Sequence, residues 1–218
     1  MLLLSKDVCV KFTSNLCMYI CIWLQPLIKP YLQPGIRQIT DGANFASAGA
    51  GALVETHRGL VINLKTQLRY FNNVERRLKQ KLVDAEAENM LSRAVYLINI
   101  GGNDYLSPSF DSSSPKEYVA MVIGNFTSVI QEIYKRGGRK FGFLSVLPLG
   151  CLPSTRIPGK MGSCNEEFTT MAKLHNKALS ELLERLEGQL KGFKYSKFNA
   201  FLSFTQRMNH PTRYGMLL

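Results

Sequence analysis

Apolar runs of strand length alternate with segments of helical periodicity along most of this chain, and this alternation restricts its fold most strongly. Runs of aliphatic and aromatic residues cover positions 95–100, 141–147 and 193–198. Between them, apolar residues recur at helical spacing from Ser114 to Gly137 and over residues 168–190. Because strands and helices alternate, the sequence predicts an α/β fold with a mainly parallel sheet and helices on both faces.

The length and composition fit one globular domain. The chain has 218 residues, of which 45% are hydrophobic and 20% charged, which excludes a disordered or fibrous chain. Residues 1–25 differ from the rest, because they are rich in cysteine, aliphatic and aromatic residues without caps or periodicity. Pro26, Pro30 and Pro34 then favour an extended chain. We therefore predict a domain boundary there, with the domain over residues 26–218.

The N-terminal segment shows neither a clean signal peptide nor a transmembrane helix. A secretory signal needs an uninterrupted apolar region, but Lys6, Asp7 and Lys11 interrupt the apolar residues. Residues 16–24 are apolar, yet this stretch is too short to span a bilayer.

The formal net charge of +11 favours acidic partners, among which nucleic acid, anionic membrane and acidic polysaccharide all qualify. Apolar residues at three-to-four-residue spacing over positions 68–82 predict an amphipathic helix whose opposite face is basic. The basic residues of this helix are Lys65, Arg69, Arg76, Arg77, Lys79 and Lys81. A solvated face and a true anion-binding surface both remain open. We do not expect nucleic-acid binding, because no docking motif or aromatic platform accompanies the charge.

Two glycine-rich stretches indicate a ligand site at one edge of the sheet. Residues 41–52 are dominated by tiny side chains and predict a loop after a short strand, and residues 101–104 follow the strand at 95–100. Ligands of open α/β sheets bind at the carboxyl ends of strands. The amide of Asn103 and the backbone N–H of Gly49 are two neutral donors suited to a developing oxyanion. Gly-Gly-Asn-Asp is also ordinary turn chemistry, so that interpretation stays open.

The same stretches resemble the second and third conserved blocks of plant GDSL-type esterase/lipases, a branch of the SGNH hydrolases. They read GANFASAGAG over residues 42–51 and IGGNDY over residues 100–105. Further matches are PLGCLP over 148–153, LHNKAL over 174–179 and NHPTRYG over 209–215. Together they cover about residues 26–215, in the family's order.

The resemblance implies a flavodoxin-like, three-layer α/β/α fold and the hydrolysis of acyl esters or lipids through a serine acyl-enzyme. It assigns the oxyanion hole to Gly49 and Asn103. Many relatives carry Gly where this chain has Ala48, and we expect little effect because the N–H remains. No cofactor or metal is implied. The resemblance also implies a secreted protein, with a small acyl ester or lipid as substrate and anionic wall polysaccharide as a further partner.

Two family blocks do not occur in this sequence. The nucleophile belongs to a Gly-Asp-Ser block, and no Gly-Asp-Ser is present. The base belongs to an Asp-x-x-His block, but Arg207 stands three residues before His210, and only Met216, Leu217 and Leu218 follow Gly215. We therefore expect a partial, truncated hydrolase domain that does not turn over. The alternative is a non-catalytic binding protein for acylated or acidic ligands that uses the oxyanion pocket and the basic helix.

No other serine or histidine replaces the missing groups. Ser47 fails the Gly-x-Ser-x-Gly pattern at its first glycine, and Ser145 lies in an apolar strand. His175 has no carboxylate at a spacing that suggests a dyad, so we interpret it as structural. His57 lies in a polar loop, and His210-Pro211 is typical of a turn after a helix.

Cys151 and Cys164 flank a Pro- and Gly-rich stretch without periodicity. A disulfide between them would fasten a loop and would suit a secreted protein. Two unrelated buried thiols remain the alternative.

The family's first strand, which precedes the nucleophile, is central in a 2-1-3-4-5 sheet. Without it, an interior position would be empty beside the strand at 95–100. Residues 18–24 are apolar and of strand length, so we predict that they fill this position or that the chain is unstable alone.

Overall fold

The computed structural model describes residues 2–4, 28–34, 40, 42–107, 114–157 and 162–215. The strands are β1 (Leu2–Leu4), β2 (Gly42–Asn44), β3 (Val95–Ile98), β4 (Lys140–Leu144) and β5 (Lys194–Phe198). The helices are α1 (Leu64–Lys81), α2 (Asp84–Arg93), α3 (Gly102–Leu106), α4 (Pro115–Lys135), α5 (Glu166–Gln189) and α6 (Ala200–Asn209). Short 3-10 turns cover Leu149–Cys151 and Pro211–Tyr214.

The five strands form one sheet in the order β2-β1-β3-β4-β5. β3, β4 and β5 pair in parallel, whereas β1 is antiparallel to both β2 and β3. β2 therefore runs in the same direction as β3, and all described strands except β1 point the same way. The predicted α/β class with a mainly parallel sheet is confirmed.

The interior position between β2 and β3 is filled by a segment that the sequence analysis did not consider. Leu3 pairs with Ala43 on one side and with Tyr96 on the other. The prediction that residues 18–24 lie there is wrong, and those residues are outside the described part of the chain. A run of three leucines is too short to show strand periodicity, but it completes the ladder between two strands already in place.

The core lies between the sheet and the long helices. Tyr96 of β3 stacks on Phe141 of β4 with ring centroids 5.3 Å apart. Phe71 of α1 meets Tyr96 edge-on at 5.6 Å, and Phe126 of α4 meets Phe143 edge-on at 5.7 Å. Tyr96 and Phe143 are on one face of the sheet, since the register pairs Tyr96 with Phe141. α1 and α4 therefore pack on the same face and hold β3 and β4 from one side.

The helices begin where the sequence supplies caps. The side chain of Asn63 accepts from Thr66 N at the start of α1, and that of Asn165 accepts from Glu167 N at the start of α5. α1 is amphipathic as predicted, because its buried residues include Leu64, Phe71, Val74 and Leu78 while all six basic residues named above are exposed. No helix in the described ranges is long and apolar enough to cross a membrane.

A disulfide joins Cys151 to Cys164, with their Cα atoms 4.3 Å apart. Next to it, the N–H of Asn165 donates to the carbonyl of Gly150 at 2.8 Å. The two links fasten the chain after β4 to the start of α5. Closing a loop of this length stabilises the fold by about 3 kcal/mol in the chain-entropy account.

Replacing Leu3 with proline tests the position of β1. The substitution removes the N–H of the central residue of this strand, so we expect the free energy of unfolding in urea to fall by roughly 3 kcal/mol. Leu3→Val, which keeps the N–H and suits a strand, is the matched control and should unfold near the wild-type midpoint. An unchanged midpoint for Leu3→Pro would show that this segment does not pair with the sheet.

Candidate active site

The loop that follows β2 is held by its own side chains. The side chain of Asn44 accepts from Ala46 N at 2.9 Å, and the N–H of Ala50 donates to the carbonyl of Ser47 at 3.2 Å. The hydroxyl of Ser47 accepts from Ile62 N at 3.1 Å. We call residues 45–53 the glycine loop. Its conformation is therefore fixed although most of its side chains are tiny.

His57 orients the backbone at Gly49. Its Nδ1 lies 2.8 Å from the carbonyl oxygen of Gly49, and because a carbonyl only accepts, Nδ1 carries the proton and donates. Gly49 has φ of +80°, and His57 itself is a non-glycine residue with φ of +46°. Glycine adopts a positive φ without strain, but a residue such as His57 keeps one only when its surroundings impose it. The N–H of Gly49 makes no hydrogen bond to any residue that the structure describes.

Asn103 reaches the glycine loop from the carboxyl end of β3. The chain leaves β3, turns at Gly101 with φ of +110° and enters α3. Nδ2 of Asn103 donates to the carbonyl of Ala50 at 2.9 Å. The structure thus brings Asn103 to the residue next to Gly49. An amide nitrogen has two N–H groups, so one remains for another acceptor.

Asp104, the next residue, is fully buried and accepts three hydrogen bonds from the other side of the site. Its Oδ2 accepts from Ala52 N at 2.9 Å, and its Oδ1 accepts from Leu53 N at 3.0 Å and from the hydroxyl of Thr56 at 2.6 Å. A Cβ atom on Gly51 would lie 2.3 Å from Oδ1, so only glycine fits there. Burial raises the pKa of the Asp104 carboxyl, while these hydrogen bonds act in the opposite direction.

His175 supports the same segment from below. Its ring is buried, and Nδ1 lies 2.7 Å from the hydroxyl of Tyr105. A Cβ atom on Gly101 would lie 2.4 Å from Cε1 of His175, so the backbone packs directly on the ring. Burial lowers the pKa of His175 to about 4, which keeps the ring neutral near neutral pH. The interpretation of His175 as a structural residue agrees with these contacts.

The remaining candidates do not form a nucleophile and base. Ser145 is buried and its hydroxyl accepts from Phe201 N at 3.1 Å, and His210 ends α6 before the 3-10 turn at Pro211. In the described ranges, no hydrogen bond joins a serine hydroxyl to a histidine ring. Those ranges also contain no group of three His, Cys, Asp or Glu side chains that could hold a metal ion.

A sequence model of the family described as GDSL-like Lipase/Acylhydrolase matches residues 24–217. The chain belongs to this family. The match covers the glycine loop, α3 and His175 in one continuous segment, so the site described above is built from family sequence.

Individual plant proteins are similar over the same region. GDSL esterase/lipase 3 of Arabidopsis thaliana is 48% identical over 88% of this chain and 55% of its own length. The GDSL lipase of Tanacetum cinerariifolium is 47% identical over 87% of this chain and 52% of its own length. GDSL esterase/lipase 5 of Arabidopsis thaliana is 49% identical, with coverages of 87% and 51%. The chain thus spans about half the length of these GDSL relatives.

Sequence reasoning missed the residues that hold this GDSL-family site together. The sequence places Asp104 and Tyr105 in a family block that also fits a turn, but it assigns neither residue a role, and it assigns none to Thr56. One signal was available, since an aspartate directly after a buried strand needs partners that a turn alone does not supply.

The packing of Gly101 on His175 can be tested with a matched pair of glycine substitutions. Gly101 and Gly59 both have positive φ, but a Cβ atom on Gly59 meets nothing within 4 Å. Each change to alanine should lose about 1–2 kcal/mol of unfolding free energy from backbone strain. Gly101→Ala should lose roughly 1–3 kcal/mol more because the methyl group overlaps the ring. Equal losses in urea unfolding would contradict the described packing.

The buried ring predicts how stability depends on pH. The pKa of His175 falls from its ordinary value of 6.5 to about 4 on folding, so between these values the unfolded chain binds more protons. Stability should therefore fall as pH is lowered from 6.5 to 4, by on the order of 3 kcal/mol. The measurement is the difference between the pH profiles of the wild type and His175→Asn, in which the contributions of Asp104 and the other histidines cancel. Parallel profiles would show that His175 is not buried in its neutral form.

Proposed function

We propose that this site is of the kind that the GDSL family uses for carboxylic-ester hydrolysis, and that in this reaction Gly49 N–H and Asn103 Nδ2 are the donors to the oxyanion of the tetrahedral intermediate. The observation that supports this most is the hydrogen bond from Asn103 Nδ2 to Ala50 O. It holds the amide beside the Gly49 peptide and leaves its second N–H unused there. Both donors are neutral, and both lie at the carboxyl edge of the sheet.

The chemistry asks for this kind of site. When an alkoxide attacks an ester carbonyl, the carbonyl oxygen gains negative charge, and donors already aimed at it stabilise that charge without reorganising. Loss of one such donor lowers kcat by about 10²–10³ in serine hydrolases. The bond from His57 to Gly49 O and that from Asn103 to Ala50 O keep the loop from turning when the charge develops.

We further propose that the 218-residue chain itself does not turn over esters. Gly49 and Asn103 are the proposed oxyanion donors, but the Ser47 and Ser145 hydroxyls accept backbone N–H groups, and no histidine among the described residues bonds to either hydroxyl to activate it. On this proposal the isolated chain binds acyl carboxylates, the products of ester hydrolysis, without hydrolysing esters. That behaviour matches the alternative of a binding protein for acylated or acidic ligands, which is favoured by a Gly49 N–H that no described residue accepts from.

The partners and location follow the same reasoning. The family names point to a small acyl ester or lipid as substrate, which we propose for this protein. We propose anionic wall polysaccharide as a ligand of the exposed basic face of α1. The Cys151–Cys164 disulfide supports secretion. The family match begins at residue 24, near the predicted boundary at residue 25, and we propose a partial hydrolase domain over residues 26–218 whose sheet also includes β1 from the N-terminal segment.

The activity proposal predicts two results for the purified chain. Hydrolysis of p-nitrophenyl butyrate should stay at trace level and should not change in Ser47→Ala. Titration with butyrate should shift the NMR signals of the Gly49 amide and the Asn103 side chain, because a carboxylate oxygen resembles the oxyanion. Asn103→Ala should abolish the shift at Gly49.

Asn125→Ala is the matched control, since Asn125 Nδ2 also donates to a backbone carbonyl, that of Met121 at 3.0 Å, but lies on α4. It should leave the butyrate response intact. Robust turnover that survives Asn103→Ala would contradict the oxyanion assignment, and turnover lost in Ser47→Ala would show that Ser47 is a nucleophile.

A further inference from the structure

We propose that Asp104 is a positioning residue of the oxyanion site, which holds the glycine loop in register with Asn103. This inference rests on the proposed function, because it assigns Asp104 a role toward the donors named there. Asp104 itself does not touch the reacting atoms. It acts through the backbone of the loop that carries Gly49.

Two neighbouring side chains on α3 form hydrogen bonds to the glycine loop, one as a donor and the other as an acceptor. Asn103 donates to the carbonyl of Ala50, and Asp104 accepts from the N–H groups of Ala52 and Leu53. The bonded loop groups, Ala50 O and Ala52 N, are two residues apart. Together the two bonds fix both the distance of the loop backbone from α3 and its rotation. The contacts join segments 51 to 53 residues apart in sequence, so nothing local would otherwise align them.

α3 is itself anchored, so it can serve as the fixed side of this contact. The hydroxyl of Tyr118 on α4 donates to the backbone carbonyl of Asp104 at 3.2 Å. Tyr105 is joined to His175 of α5 at 2.7 Å. The helix is thus tied to two long helices, and a displacement of Asp104 would require both contacts to break.

A carboxylate suits a positioning role, because it can accept all three of the hydrogen bonds made to the Asp104 side chain. It does not suit direct stabilisation of an anion, because its own charge is negative. Its oxygens only accept when ionised, so they satisfy two N–H groups and the Thr56 hydroxyl at once. An amide at this place would turn an NH₂ group toward at least one of these donors. A negative charge next to Asn103 would repel an oxyanion, so an electrostatic contribution of Asp104 would weaken anion binding. Positioning and electrostatics therefore predict opposite effects when the charge is removed.

The test compares Asp104→Asn, Thr56→Val and Thr56→Ser in the full chain. Amide exchange followed by NMR reports the hydrogen bonds of Ala52 and Leu53, and the side-chain amide signals report Asn103. Amides of Leu182 and Leu183 in α5 report global opening. Positioning predicts exchange of Ala52 and Leu53 about tenfold faster in Asp104→Asn, with Asn103 protection lost and the α5 amides changed much less.

Butyrate titration supplies the readout that a merely structural role would not move. Positioning predicts binding at Gly49 and Asn103 at least several-fold weaker in Asp104→Asn and Thr56→Val. Thr56→Ser, which keeps the hydroxyl, should restore wild-type affinity. Tighter butyrate binding in Asp104→Asn would overturn the proposal. So would wild-type affinity in both Asp104→Asn and Thr56→Val. If Asp104→Asn does not fold, the Thr56 pair decides the question alone.

The two proposals fail in different ways. If wild-type chain shows no butyrate response at Gly49 and Asn103, the proposed function fails, and the positioning role is then decided by Asn103 side-chain exchange in the variants. If wild type responds and the variants respond equally, the positioning role fails while the oxyanion assignment stands.

Discussion

The buried carboxylate of Asp104 is the interaction on which the site depends. It collects two backbone N–H groups and one hydroxyl from a loop about fifty residues away in sequence. A buried charge with fewer partners would destabilise the fold, since a single unmade hydrogen bond costs about 1–3 kcal/mol. These hydrogen bonds therefore hold the glycine loop in a fixed position relative to α3. On our proposal, the alignment of Gly49 with Asn103 follows from satisfying that charge. Gly51 is glycine because a Cβ atom there would overlap the carboxylate.

Neutral, buried polar contacts connect α3 to the hydrophobic core. Tyr105 and His175 bond beneath α3, and the low pKa of His175 means that this layer carries no charge near neutral pH. Beyond it, the stacked and edge-on aromatic rings of β3, β4 and the long helices fix the sheet. A change in that core would reach Gly49 and Asn103 through α3 and through the glycine loop, whose Phe45 meets Phe71 edge-on with ring centroids 6.5 Å apart. Stability and site geometry are therefore linked both at this short helix and at the buried residues of the glycine loop.

The sequence predicted the elements well where residues are buried on a regular face. The helical spacing from Ser114 to Gly137 corresponds to α4, and the runs at 95–100 and 193–198 correspond to β3 and β5 within two residues at each end. Such runs are readable because periodicity needs several residues to appear. Leu2–Leu4 was missed because a strand of three residues shows no period. Its pairing depends on β2 and β3, which lie far away in sequence.

The site was predictable to a lesser degree. Gly49 and Asn103 were singled out by residue chemistry, and family resemblance gave them a specific role, but local pattern alone could not distinguish Gly-Gly-Asn-Asp from a turn. The partners of Asp104 and His175 could not be predicted. No local rule connects Ala52 to Asp104, and none connects Tyr105 to His175. Contacts of this kind are decided by how helices and loops pack, and the relevant residues are common types.

The direction of β1 carries a consequence separate from its position. A parallel sheet delivers whatever follows each strand to the same rim, and that rim is where Gly49 and Asn103 lie. β1 is reversed, so Leu2 pairs near the ends of β2 and β3, while Leu4 pairs near their beginnings. Leu4, where β1 ends, thus lies toward the rim opposite the one that holds Gly49 and Asn103. A strand can complete the hydrogen-bond ladder of a sheet and yet end at the rim away from the candidate site, so the polarity of a central strand decides which rim its last residue reaches.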